Sequence, residues 1–452
     1  MSQKLIIANR GEIACRVIRA ARQLGLTTVA VYSEADAQAP HVEAADEAVL
    51  IGPAAAAQSY LRQGAIVDAA LKTGATLLHP GYGFLAENAA FARHCGEVGI
   101  TFVGPSPEVI AAMGDKEQAR RIAVEAGLPV SRGTAKLRGD DSGIADEAER
   151  VGYPLLVKAA AGGGGIGMRR VDEASALLES IATTRSLAER AFGDGSVYLE
   201  HFVSRARHIE VQVFGFGDGR AVHLFERDCS VQRRHQKVIE EAMSPALDAR
   251  QREEIVAVAV KLAQACRYEG AGTVEFLYDD ESGEYYFLEM NTRIQVEHPV
   301  TEMITGIDLV GAQLRQAMGE DLSTELAQNR IGASGWSVEA RLYAERPAKN
   351  FMPSPGPLNV MRLPQAEGLR IDTGYHAGMK VTPYYDPMLM KIIAHADTRD
   401  GAVDRLDAAL AELVVEGIET NQTFLRNALA HPTFRAGRAN TSWLGQAHQE
   451  LI

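Results

Sequence analysis

At 452 residues the chain is too long for one ordinary core, and two or three domains are expected. Hydrophobic residues at 46% and charged residues at 23% describe an ordinary globular composition, with no apolar run long enough to span a bilayer. A net charge of −13 excludes nucleic acid as an expected partner, and four scattered cysteines without a Cys-x-x-Cys pair exclude a zinc centre or a disulfide framework. The N-terminus lacks the apolar core and cleavage site of a signal peptide, so a cytoplasmic location is expected.

The first ~110 residues alternate strand and helix patterns. Leu5 to Ala8 reads as a buried strand, Gly11 to Gly25 as a helix, and Val29 to Tyr32, Thr76 to Leu78 and Ile100 to Val103 as further strands. That order predicts a parallel sheet covered on both faces. The first strand–helix turn, Asn9-Arg10-Gly11-Glu12, lacks the dinucleotide-binding glycine pattern, so a dehydrogenase is not expected. A polar stretch from Lys136 to Gly143 reads as a linker, and a small segment runs on to about Val203. Alternating strands such as Ile209 to Val213 come next, then helices over Arg252 to Ala265 and Val403 to Val415.

Within the small segment, Lys158 precedes a run with five glycines in the six positions 162–167. Such a run exposes successive backbone N–H groups to a phosphate, and Lys158 supplies a point charge beside it. An idle surface loop is the alternative reading, at a considerable cost in backbone entropy. No Gly-Lys-Ser/Thr follows, so this is not a Walker loop.

Residues 274–278 and 285–289 flank a turn-forming stretch, which predicts a hairpin with Glu275 and Glu289 symmetric about Ser282. Directly opposed, their Cβ atoms would lie roughly 5 Å apart, a repulsive arrangement unless a cation such as Mg²⁺ sits between them. Continuing in extended form, Asn291, Arg293, Gln295 and Glu297 are expected on one face and Thr292, Ile294 and Val296 on the other. Arg293 suits a small oxyanion and Glu297 a general base. The charged segment Arg227, Asp228, Arg233, Arg234, His235, Lys237, Glu240 and Glu241 fits a surface ion-pair network as well as a site, with Lys237 the favoured anion-binding member. His208 and Glu210 share one face of a strand, where a lone histidine is most often structural.

These segments together resemble the biotin carboxylase family of ATP-grasp enzymes. The matching stretches include Ile7-Ala-Asn-Arg-Gly-Glu-Ile-Ala14, His79-Pro-Gly-Tyr-Gly-Phe-Leu-Ala-Glu-Asn88, Met113-Gly-Asp-Lys116, Glu226 to Lys237, Glu289 to Glu302, Phe351 to Gly356, Pro383 to Asp386 and Glu416 to Asn421. The resemblance implies a mixed α/β and α+β chain. A Rossmann-like parallel-sheet domain would span 1–113, linker helices and a glycine-rich lid 114–203, and a mixed α+β ATP-grasp and C-terminal domain 204–452. ATP would bind through Lys116, Lys158, Gly163, Gly164, Gly165, Glu200, Val203, His208, Gln232 and His235. Glu275, Glu289 and Asn291 would hold Mg²⁺ or Mn²⁺. Bicarbonate would lie against Lys237, Arg293, Gln295 and Val296, with Glu297 as its base. Tyr82 and Arg341 would meet biotin. Carboxyphosphate would be the intermediate.

The family usually has a cation at Ile166, proline at Met243 and an acid at Arg346. These departures leave open whether the acceptor is acetyl-CoA, another acyl-CoA or a different acceptor. A different ATP-grasp ligase, activating a carboxylate for an amine, is the nearest alternative. The chain ends at Ile452 without a biotin-accepting Met-Lys-Met motif, and Gly378 to Val381, the nearest look-alike, reads as structural. A separate biotin carboxyl carrier protein and carboxyltransferase subunits are therefore expected as partners. A homodimer through the C-terminal domain is also expected, although Gln23 and Glu367 lack the charge and aromatic pairing such an interface suggests.

Overall fold

The structure is a computed structural model that describes residues 3–137, 143–160 and 167–452. Strands β1 (Lys4–Ile7), β2 (Thr27–Ser33), β3 (Glu47–Gly52), β4 (Leu77–His79) and β5 (Thr101–Phe102) form a parallel sheet in the order β3-β2-β1-β4-β5. The expected parallel sheet is thus present, and its faces are both covered. Ile6, Val29, Val31 and Leu78 pack with Phe91 on one side. On the other, Leu5 and Ile7 meet Ile13, Val17 and Ile18 of the helix Gly11–Gln23. Phe214, Leu224 and Leu314 join that second cluster, so the N-terminal sheet shares a core with segments some two to three hundred residues downstream.

A three-stranded antiparallel sheet, β7-β6-β8, comprises β6 (Leu155–Ala159), β7 (Met168–Val171) and β8 (Val197–His201). The glycine run connects β6 to β7, and its members Gly163, Gly164 and Gly165, like Ile166, lie outside the described residues. So do residues 138–142 of the expected linker; just before them the Leu137 N–H donates to the Val197 carbonyl at 2.7 Å.

The largest sheet has eight strands. It contains β9 (Ala206–Phe216), β10 (Ala221–Arg233), β11 (Gln236–Ala242), β12 (Glu269–Asp279), β13 (Tyr285–Asn291) and β14 (Trp336–Tyr343), completed by Met388–Ala396 and Leu369–Thr373. Their order is β13-β12-β9-β10-β11-β14, then Met388–Ala396, then Leu369–Thr373. The helix Ala249–Ala265 starts three residues before the expected Arg252, because Asp248 and Gln251 form a reciprocal capping box. The helix expected to run to Val415 covers Arg399–Glu412, since Val414–Glu416 pairs instead with Val360–Arg362. Met379 of the carrier-motif look-alike is buried in the C-terminal core. Arg346 pairs with Glu419 at 2.8 Å, and Gln23 and Glu367 are both exposed. Among the described residues no helix is long and apolar enough to cross a membrane.

Candidate active site

The hairpin of β12 and β13 places Glu275 directly opposite Glu289 as expected, although not by symmetry about Ser282: Tyr278 pairs with Tyr285 and Phe276 with Phe287, and a register shift between Phe276 and Glu275 then brings the two acids together. The ladder stops at Asn291, however, and the extended face expected through Glu297 does not continue. Val296 and Glu297 turn into the helix His298–Thr305, whose start carries Pro299 in the first turn, where its missing N–H is no loss. The side chains converge by that turn rather than by strand alternation. Asn291 Nδ2 and Gln295 Nε2 each donate to Glu275 Oε1 at 2.8 Å. Arg293 turns aside to Glu87, 2.8 Å away on the N-terminal side, and donates to Asn291 Oδ1 at 2.9 Å.

Lys237 is the centre of the cluster. From β11 its ammonium reaches Glu210 on β9 at 2.5 Å, Glu297 at 2.6 Å and Glu275 at 3.0 Å. Burial works against its charge, but the three carboxylates outweigh it and hold the pKa well above the ordinary lysine value. The same balance acts on the acids. Burial would raise Glu210, yet Lys237 and Arg227 hold it down to about 2. Glu275 and Glu297 are likewise lowered against burial, chiefly by Lys237, so both are anionic at neutral pH. Glu297 takes a second cation, with Arg341 Nη2 3.0 Å from its other oxygen.

His208 Nε2 stands 2.8 Å from Glu275, whose charge overcomes burial and raises the imidazole pKa. Donor atoms of His208, Glu210 and Glu275 all lie within 4.8 Å of one another. Glu289 has a like-charged neighbour and, among the described residues, no hydrogen bond or ion pair. The residue stays exposed, while the surrounding protein and Glu275 push its pKa up. An acid raised by a facing acid is what a divalent cation relieves, so these donors fit a hard cation such as Mg²⁺.

The remaining expected residues are more dispersed. Lys158 pairs with Glu200 at 2.8 Å across β6 and β8, and Val203 is buried just beyond. Lys116 is exposed at the start of the helix Lys116–Glu125 and lies close enough to Glu289 to lower its pKa. Gln232 is buried, donating to the Cys229 carbonyl at 3.3 Å. Arg234 and His235 turn β10 into β11 with φ of 51° and 65°, a left-handed pair that suits a tight hairpin although neither is glycine. The Tyr82 hydroxyl donates to Glu12.

Sequence reasoning missed several members. Arg227, read as equally suited to the surface, is fully buried and pairs with Glu210 at 2.6 Å. Glu240 lies 2.6 Å from Arg341 Nε, in an ion pair too poorly aligned to be a hydrogen bond. It also sits directly opposite Glu339 of β14. Both acids are buried and neither has a hydrogen-bonded oxygen. Burial pushes Glu240 up to about 7 despite Arg341, and lifts Glu339 well above its ordinary value despite Lys391, helped by the charge of Glu240. Only the alternation of β11 and β14 signals this pair, because their mutual register spans about a hundred residues.

The pair makes a pH prediction. A carboxyl raised by folding contributes stability that is complete below its unfolded pKa and lost as pH climbs through the folded value. Glu339→Gln carries no charge at any pH and escapes that loss. Its melting temperature relative to the parent is expected to improve from about pH 5 to about pH 8. An offset that is constant across that range would contradict it.

Three family models match in order. They are "Biotin carboxylase, N-terminal domain" over residues 1–110, "Carbamoyl-phosphate synthase L chain, ATP binding domain" over 115–325 and "Biotin carboxylase C-terminal domain" over 339–446. Biotin carboxylase 1 of Bacillus subtilis is 50% identical over 444 residues, covering 98% of each chain. The alpha subunit of methylcrotonoyl-CoA carboxylase from Oryza sativa is 47% identical over the whole of this chain and 61% of its own. The biotin carboxylase domain dimer of Hydrogenobacter thermophilus 2-oxoglutarate carboxylase, solved with MgADP, ADP and bicarbonate, superposes with a TM-score of 0.92. It is 44% identical and covers 100% of this chain and 99% of its own. Carboxylate pairs and buried cations occur on many folds, but this order of regions and this identity over the full length do not. The chain belongs to the biotin carboxylase family of ATP-dependent carboxylating ligases.

Proposed function

We propose that this chain carboxylates biotin on a separate carrier protein, using Mg·ATP and bicarbonate by way of carboxyphosphate, as the first half-reaction of an acyl-CoA carboxylase. The observation that carries the reading is the Lys237 ammonium among Glu210, Glu275 and Glu297, with Arg341 on the far oxygen of Glu297. Such a cluster pairs a poised carboxylate base with fixed cations in a site shielded from water.

ATP binds between residues 114–203, acting as lid, and 204–452, with Lys116, Lys158, Gly163, Gly164, Gly165 and His208 toward the phosphates, Glu200 and Val203 near the adenine, and Gln232 and His235 also binding the nucleotide. A divalent cation held by Glu275, Glu289 and Asn291 would neutralise charge on the phosphoryl oxygens. Lys237, Arg293, Gln295 and Val296 seat bicarbonate, and Glu297 takes its proton. The bicarbonate oxygen displaces ADP from the γ-phosphoryl group. Carboxyphosphate then divides into CO₂ and phosphate, the phosphate accepts the ureido proton of biotin, and the biotin nitrogen attacks CO₂. Arg341 stabilises the enolate-like biotin and Tyr82 lines its approach. The chain works as a cytoplasmic homodimer beside carboxyltransferase subunits. An acyl-CoA such as acetyl-CoA is the acceptor this reading takes, and a carboxylase subunit for another acceptor is the alternative, since the similar chains include carboxylases of methylcrotonoyl-CoA, 2-oxoglutarate and pyruvate.

Phosphate release from Mg·ATP, with bicarbonate and free biotin added separately and together, tests the proposal. Release that needs bicarbonate, rises with biotin and accompanies carboxybiotin is expected. Release triggered by other carboxylic acids and indifferent to bicarbonate would overturn it in favour of an acyl-phosphate-forming ligase.

A further inference from the structure

Lys391 is fully buried on the strand Met388–Ala396, where a lysine needs partners to be tolerated. Cross-strand pairing sets it opposite Arg341 of β14 on one side and opposite Asp372 on the other. Arg341 and Lys391 are therefore neighbouring cations on one face of the sheet. They grip consecutive residues of the same turn. Arg341 takes the Glu297 carboxylate at 3.0 Å, and Lys391 Nζ donates to the Val296 carbonyl at 2.7 Å.

Lys391 also reaches across to the N-terminal region. Its ammonium lies 3.2 Å from Glu12 Oε1, and that same oxygen accepts the Tyr82 hydroxyl. Glu12 is buried at the start of the helix Gly11–Gln23, and its second oxygen has no partner. The Tyr82 backbone is anchored nearby, since Asn9 Nδ2 donates to the carbonyls of Pro80 and Tyr82 at 2.7 Å each. The ring of Tyr82 is thus held at both ends: by Asn9 at its backbone and by Glu12 at its hydroxyl.

We propose that Glu12 and Lys391 are positioning residues. They form a buried line of polar contacts from the Tyr82 hydroxyl to the Val296 carbonyl, and so set the spacing between the Tyr82 ring and the Val296–Glu297 turn. The line joins a loop of the N-terminal sheet to the far half of the eight-stranded sheet, and Glu12 and Lys391 themselves are not among the residues assigned to nucleotide or bicarbonate. Its effect falls on how biotin is seated, and in this it rests on the functional reading above.

Steady-state turnover, with free biotin and Mg·ATP each varied in turn while the other substrates are held saturating, provides the test. Glu12→Ala is expected to raise KM for biotin about tenfold, the size of one lost charge-assisted hydrogen bond, while KM for Mg·ATP stays within about twofold. Tyr82→Phe removes one oxygen whose partner is Glu12 and is expected to shift KM for biotin in the same sense. The double variant is expected to be no worse than the poorer single one. Glu12→Gln, which keeps an oxygen for the hydroxyl, is expected to recover most of the loss. Additive effects in the double variant, or equal rises in both KM values, would overturn the positioning role. Should Glu12→Ala fail to fold, an unaltered biotin KM in Tyr82→Phe would do so alone. A parent chain whose turnover ignores biotin would instead sink the functional reading, and this inference with it.

Discussion

Glu297→Gln is expected to lower bicarbonate-dependent phosphate release by about 10²- to 10⁴-fold, the usual contribution of a positioned general base, while ADP still binds. The residue is 2% exposed, its carboxylate caught between Lys237 at 2.6 Å and Arg341 at 3.0 Å. Glutamine has the same shape and leaves those cations their other partners, Glu210, Glu275 and Glu240. What it cannot do is accept a proton as a carboxylate. Because Lys237 holds the Glu297 pKa below the ordinary value, the parent chain has this carboxylate ionised throughout the neutral range. Phosphate release and calorimetric ADP titration separate the two effects. Unchanged turnover would remove Glu297 from the role of base, and lost ADP binding would show that the substitution had disturbed the cleft itself.

Arg227→Met is expected to cost about 3–5 kcal/mol of stability, read as a large fall in the urea midpoint of the first unfolding transition. The guanidinium is wholly buried and donates to Glu210, Gln212, Thr301, Thr273 and Gln295 at 2.6 to 3.2 Å. Methionine fills much of the space but leaves the Glu210 charge without the guanidinium that pairs with its Oε1. The exposed pair Arg93–Glu108 is the control. Arg93→Ala is expected to change stability by less than about 1 kcal/mol, as solvated pairs do. A comparable loss at both positions, or a negligible one at Arg227, would contradict the buried-network account.

The contrast between these two arginines shows what a sequence conveys and what it withholds. Local patterns identify the parallel N-terminal sheet, the helix after β1 and the β12–β13 hairpin, because each depends on periodicity or on a turn within a few residues. The opposition of Glu275 and Glu289 also needs a register shift between Phe276 and Glu275 that no local pattern marks. Arg227 could not be told from a surface residue, since its burial depends on Thr273, Gln295 and Thr301, brought close only by strand order. Glu87 meets Arg293 across about two hundred residues for the same reason. The extended run expected after Asn291 failed on a local competitor, the turn that starts the helix at His298. Glu210 was seen on the right face of its strand beside His208, yet nothing nearby in sequence marks it as the partner of Lys237.

The eight-stranded sheet also bears on whether this protein can be taken apart. Two of the matched regions meet between residues 325 and 339, a natural place to cut the gene. Yet β11 hydrogen-bonds to β14 from Ile239 to Ala242, across that cut. A fragment ending near residue 330 would carry a bare strand edge beside buried Glu240, with Arg341 left behind on the missing piece. Recombinant halves would therefore be sticky and poorly folded on their own. Co-expressed, they would have reason to find each other along that seam.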